Sequence, residues 1–159
     1  MNKHILIIFT LFVALLSGCK QDDWLDWKAQ NELWLLENAK RDSVVTSPTG
    51  LQYKCIQRGP NTGYPIKPDE TKMVTINYQG WLINGYCFDT QDSYPSYITT
   101  FTLGFQEGLK RMQFGDIYEF YIPYYLGYKS SGNQVAEGNS SHIPPYSTLI
   151  FRVQLLGVN

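Results

Sequence analysis

The sequence of 159 residues is poor in the side chains that bind metals: it holds three cysteines, two histidines and three methionines. None of them falls at metal-ligand spacing, so no metal site and no cofactor is expected. An excess of either charge is also absent, with 13 Lys and Arg against 14 Asp and Glu. There is no basic patch to follow a phosphate backbone and no long acidic run, which argues against a nucleic-acid partner. Internal repeats are absent. An apolar run from Ile5 to Leu16, broken only by Thr10, is shorter than the about 20 residues that span a bilayer.

That run does have the form of an export signal. Asn2, Lys3 and His4 give a short, weakly positive start, and the run ends in Leu16-Ser17-Gly18-Cys19. These four residues resemble the lipobox of bacterial lipoproteins. The resemblance implies that residues 1–18 are a signal peptide and that Cys19 is lipidated and becomes the new N-terminus. The protein would then be held in the cell envelope, at the outer membrane on its periplasmic or surface side. Lys20 to Asp23 reads as a polar tether, and residues 19–48 as tether plus helix.

Trp24 to Arg41 contains neither Gly nor Pro and is rich in Ala, Leu, Glu and Lys, which predicts a helix. Trp24, Trp27, Trp34 and Leu35 fall on one side, and Leu25, Ala29, Leu33 and Leu36 on another. A helix with two apolar sides needs partners. It packs on the following domain, forms a homodimer, or lies at the membrane surface; the pattern leaves all three open.

From Leu51 the period changes to two. Leu51, Tyr53 and Cys55 alternate with polar residues, and Val74, Ile76 and Tyr78 share a face within 73–82. Ile98 to Leu103 is a further strand candidate. The segments 117–122 and 149–155 complete the set. Asn84-Gly85 signals a hairpin. Phe105, Leu109 and Met112 have helical spacing and mark a short helix over 105–112. Tyr124 to Ser147 is a long loop rich in Gly and Ser. Aromatics abound, with 12 Tyr, 8 Phe and 4 Trp, which suits a β-rich domain with an aromatic surface. Cys55 and Cys87 are left for this domain. In an exported protein they can pair, although buried free thiols are the plainer reading.

The order of these pieces resembles the FKBP family of peptidyl-prolyl cis-trans isomerases. The resemblance is carried by Thr49-Gly50-Leu51-Gln52-Tyr53, Val74 to Leu82 (VTINYQGWL), Phe88-Asp89-Thr90 and Gly104-Phe105-Gln106-Glu107-Gly108-Leu109. It continues through Met112-Gln113-Phe114-Gly115-Asp116, Leu126-Gly127-Tyr128, Ile143-Pro144-Pro145 and Leu149 to Val153. It implies an α+β fold over 49–159, an antiparallel half-barrel sheet wrapped around one short helix and preceded by the N-terminal helix. Tyr78, Asp89 and Tyr128 match the family's catalytic positions. Phe88, Phe105, Ile143 and Phe151 match the walls that bind a substrate proline. From periodicity alone the aromatic residues among these are core side chains; only the resemblance makes them a pocket.

Two functions follow as expectations. One is a prolyl isomerase acting on proline-containing segments of exported proteins. The other is an FKBP-like peptide-binding or chaperone module with weak or no catalysis. Three departures from the family pattern bear on the choice. Phe101-Thr102-Leu103 runs directly into Gly104-Phe105, about six residues short of the usual strand and Val-Ile pair, with Thr102 or Leu103 as the substitute. Lys129 stands where a glycine is usual, and Ser130 to His142 is longer than in compact members.

Overall fold

The computed structural model describes residues 19–60 and 67–159. The export signal read at 1–18 lies outside the described residues. Helix α1 spans Cys19–Asn38, so Lys20 to Asp23, read as a polar tether, lies within the helix. Strands β1 (Val45–Thr46), β2 (Gln52–Gln57), β3 (Met73–Trp81) and β4 (Cys87–Tyr97) follow. Helix α2 is Leu103–Leu109, and β5 (Ile117–Ile122) and β6 (Leu149–Val158) complete the chain. The sheet has six strands in the order β1-β2-β5-β6-β3-β4, and every neighbouring pair is antiparallel.

The core lies between α2 and the sheet. Phe105, Leu109 and Met112 are buried, as their spacing predicts, against Val74, Ile76, Phe120 and Val153. Removing each such side chain from water contributes roughly 1.5–3 kcal/mol. The hairpin forms at Asn84-Gly85: Gly85 adopts φ +83°, and the Asn84 side chain accepts from the Tyr86 N–H at 3.0 Å.

Three expectations need correction. Ile98 to Leu103 is not a strand, since Ile98–Thr100 is a 3-10 turn closed by Phe101 N–H on the Ile98 carbonyl at 3.1 Å. The strand is instead the longer β4, which passes through Asp92 and Ser93 as a bulge opposite Asn77. Ser93 takes φ +51° there, and the Asn77 side chain accepts its N–H at 2.8 Å. A bulge and Pro95 are tolerated because β4 is an edge strand. Helix α2 starts two residues earlier than its apolar spacing suggests and ends at Leu109. Cys55 and Cys87 are both free, but neither is buried: Cys55 is partly exposed and Cys87 is exposed.

Helix α1 docks on its own domain through its tryptophan side. The Trp27 indole donates to Ser147 Oγ at 3.0 Å, and buried Asn31 accepts from the Thr148 N–H at 2.7 Å. Asn38 donates to the Gln52 side chain at 2.9 Å, and the Trp34 ring lies 5.7 Å from that of Tyr121. The opposite side leaves Leu25, Leu33 and Leu36 exposed. Among the described residues no helix is long and apolar enough to cross a membrane.

Candidate functional site

All seven residues assigned to catalysis or substrate binding line one cavity of about 390 Å³. They arrive from five parts of the fold. Tyr78 stands on β3, Phe88 and Asp89 on β4, and Phe151 on β6. Phe105 comes from the first turn of α2, and Tyr128 and Ile143 from the β5–β6 connection.

The floor is aromatic. Phe105 meets Phe151 edge to face at 4.8 Å, and Phe88 meets Phe151 at 5.4 Å. Tyr78 stands 5.9 Å from both Phe105 and Phe151. Edge-to-face packing sets the positive ring edge on the negative face, about 0.5–1.5 kcal/mol per pair beyond area burial. Gly80 makes the packing feasible: a Cβ there would lie 2.7 Å from ring carbons of both Phe88 and Phe151.

Polar groups sit at the mouth. The Tyr78 hydroxyl donates to Asp89 Oδ2 at 2.7 Å. Burial pushes the Tyr78 hydroxyl well above the usual phenol range, and the bond to Asp89 pushes it further. Tyr128, 39% exposed, is raised by burial and then by the Asp89 charge. Both phenols therefore remain hydrogen-bond donors through neutral and mildly alkaline pH.

The segment before α2 resolves differently from the expectation. Phe101 and Thr102 line the cavity, whereas Leu103 points outward and is 60% exposed. Phe101 stacks on Phe105 at 4.7 Å with 20° between the planes. Phe101 and Thr102 thus stand four and three residues before Phe105, and the strand that precedes them is β4, which runs to Tyr97 and leads in through the turn at Ile98–Thr100. Thr102 is extended, with φ −62° and ψ 155°, and its N–H has no acceptor among the described residues. Lys129 does take the glycine-like conformation, at φ +60°.

Thr100, Asn133 and Ser141 also line the cavity and were missed. No local pattern marks them, because only the path of the long loop brings Asn133 and Ser141 to the mouth. Among the described residues no cluster of three His, Cys, Asp or Glu side chains is placed to hold a metal ion.

The family described as FKBP-type peptidyl-prolyl cis-trans isomerase matches residues 64–156. The peptidyl-prolyl cis-trans isomerase Mip of Coxiella burnetii is 41% identical over 135 residues, covering 81% of this chain and 54% of the relative. The outer membrane protein MIP of Legionella longbeachae is 33% identical over 138 residues, covering 82% of this chain and 54% of the relative. The chain spans about half the length of the curated relatives it matches. Among solved structures, FkpA from Escherichia coli superposes with a TM-score of 0.75 at 29% identity, over 100% of this chain and 74% of that one.

Proposed function

Because the chain belongs to the family of FKBP-type peptidyl-prolyl cis-trans isomerases, we propose that it catalyses cis-trans exchange of Xaa-Pro bonds in exported proteins. The observation that carries this reading is the convergence of Tyr78, Phe88, Asp89, Phe105, Tyr128, Ile143 and Phe151 on one cavity.

Rotation about an Xaa-Pro bond faces a barrier of about 18–20 kcal/mol from amide resonance, and uncatalysed exchange takes tens to hundreds of seconds. In the twisted transition state resonance is lost, and the amide is less charge-separated than when planar. The aromatic floor around Phe105 disfavours the planar form more than the twisted one, by replacing water with apolar rings. Tyr128 donates to the client backbone and holds it in the productive turn. Asp89 fixes the Tyr78 hydroxyl and biases the field at the mouth. The Thr102 N–H donates to a client carbonyl, the part played in the family by the Val-Ile segment. No nucleophile, general base or metal enters this scheme.

We place the protein in the cell envelope, anchored through lipid on Cys19 at the outer membrane. The lipobox supports this, as does the name of the Legionella relative, an outer membrane protein. Homodimerisation through α1 is part of the same reading, supported by the exposed Leu25, Leu33 and Leu36. In the second reading, a peptide-binding module without catalysis, the strained Lys129 and the long loop after it adapt the cavity to holding clients.

The deciding experiment is NMR exchange spectroscopy on a short Xaa-Pro peptide with the soluble chain from residue 20. Exchange faster than background, lowered about tenfold by Tyr128→Phe, supports the isomerase. Peptide-induced shifts without acceleration support the binding module, and the absence of both sinks both readings.

A further inference from the structure

The family resemblance gives a role to seven side chains of the cavity and none to Asn133, which also lines it. The carboxamide of Asn133 is fixed. Its Oδ1 accepts the N–H groups of Ile143 at 3.0 Å and Val135 at 3.3 Å, and its Nδ2 donates to the Ser141 carbonyl at 2.6 Å. Two N–H donors on Oδ1 determine which side of the amide is oxygen. An amide nitrogen carries two protons, so one proton of Nδ2 is left over.

The surrounding loop is built to hold that proton still. The Asn133 N–H donates to the Ile143 carbonyl at 3.2 Å, closing the neck of the loop. At Gly132, with φ +65°, a Cβ would lie 2.2 Å from the Ile143 oxygen, so the neck is close-packed. His142 Nδ1 lies 2.6 Å from the Val135 carbonyl, and the Tyr86 hydroxyl pins the loop to the β3–β4 hairpin through Ser140 at 3.2 Å. A donor held in this way loses little entropy on binding.

A cavity of about 390 Å³ exceeds what a pyrrolidine ring fills. The rest accommodates the adjoining peptide groups, whose carbonyls lose water on entry and need donors. We infer that Asn133 forms a client main-chain subsite: its free Nδ2 proton donates to the carbonyl of a residue flanking the Xaa-Pro pair. The ligand class is an extended peptide of at least three residues, not a bare Xaa-Pro unit. This inference rests on the cavity being the proline site.

The test uses the chain from residue 20 as wild type, Asn133→Asp and Asn133→Ala. The probes are a capped Xaa-Pro unit and the same unit lengthened by one residue at either end. Asn133→Asp keeps the acceptor for Ile143 and Val135 and removes the donor, together with its bond to the Ser141 carbonyl, a loss that the capped unit reads by itself. Both variants are expected to lose about tenfold in kcat/KM and in Kd on one lengthened peptide, about 1.4 kcal/mol, and under twofold on the capped unit. Equal loss on all three probes makes Asn133 a loop clamp and overturns the subsite, as does no loss on any. Should the wild type bind without accelerating exchange, the isomerase reading falls and the length dependence of Kd still judges Asn133. Should it bind none of the probes, both fall.

Discussion

Tyr78 and Asp89 face each other across β3 and β4, joined by a hydroxyl-to-carboxylate hydrogen bond of 2.7 Å. The bond spans the two strands that carry one side of the cavity, and it adds to burial in holding the Tyr78 proton. Asp89→Ala leaves that hydroxyl half-buried without its acceptor. The expected cost is about 1–2 kcal/mol of stability, with a several-fold lower exchange rate. Tyr78→Phe and the double variant complete a cycle, and a coupling of at least about 0.5 kcal/mol is expected in urea melts. Strict additivity would show that the bond contributes nothing.

Two hydrogen-bonded tyrosines contribute to the dependence of stability on alkaline pH. Tyr78 and Tyr121 are both raised above the ordinary 10.0, first by burial and then by hydrogen bonds to Asp89 and Glu119. A phenol raised in the folded state binds its proton more tightly there than in the unfolded chain. Its stabilisation is complete below about pH 10 and is lost as pH rises through the folded value. Calorimetry should show a Tm slope that steepens above that pH and flattens in the Tyr78→Phe, Tyr121→Phe double variant. A double variant as steep as the wild type would contradict this.

Gly80 is expected to tolerate no side chain. Gly80→Ala sets a methyl 2.7 Å from the rings of Phe88 and Phe151. The rings must move, at an expected cost of about 1–3 kcal/mol from overpacking, and peptide affinity should fall with them. Unchanged aromatic proton shifts in the variant would refute the account.

Lys129 gives the opposite sign. At φ +60° it occupies the left-handed region that disfavours a side chain. Lys129→Gly should stabilise by about 0.5–1 kcal/mol after glycine's greater entropy loss is counted. The Tm should rise by a few degrees, and a fall would mean that the lysine side chain makes contacts worth more than the strain.

The three central strands were legible because Val74, Ile76, Tyr118, Phe120, Phe151 and Val153 bury one face by strict alternation. The far half of β4 was not. Asp92-Ser93-Tyr94-Pro95 has turn composition, and a bulged edge strand tolerates what a central strand cannot. Ile98 to Leu103 misled in the reverse sense, since β-branched residues there close a 3-10 turn that delivers Phe101 and Thr102 to the cavity. The seven site residues were placed through family resemblance, because a core aromatic and a pocket aromatic have the same periodicity. Asn133 and Ser141 needed the folded loop, since their side-chain partners lie up to ten residues away.

Helix α1 is unbroken from Cys19 to Asn38, about 30 Å of rod at 1.5 Å per residue. It is bolted to the residues just before β6 by Trp27 and Asn31. With no slack between residue 19 and the domain, an anchor at that residue governs attitude as well as distance. Lipid on Cys19, as proposed above, would therefore narrow the range of bearings the cavity takes relative to the surface that holds it, like an instrument on a short mount.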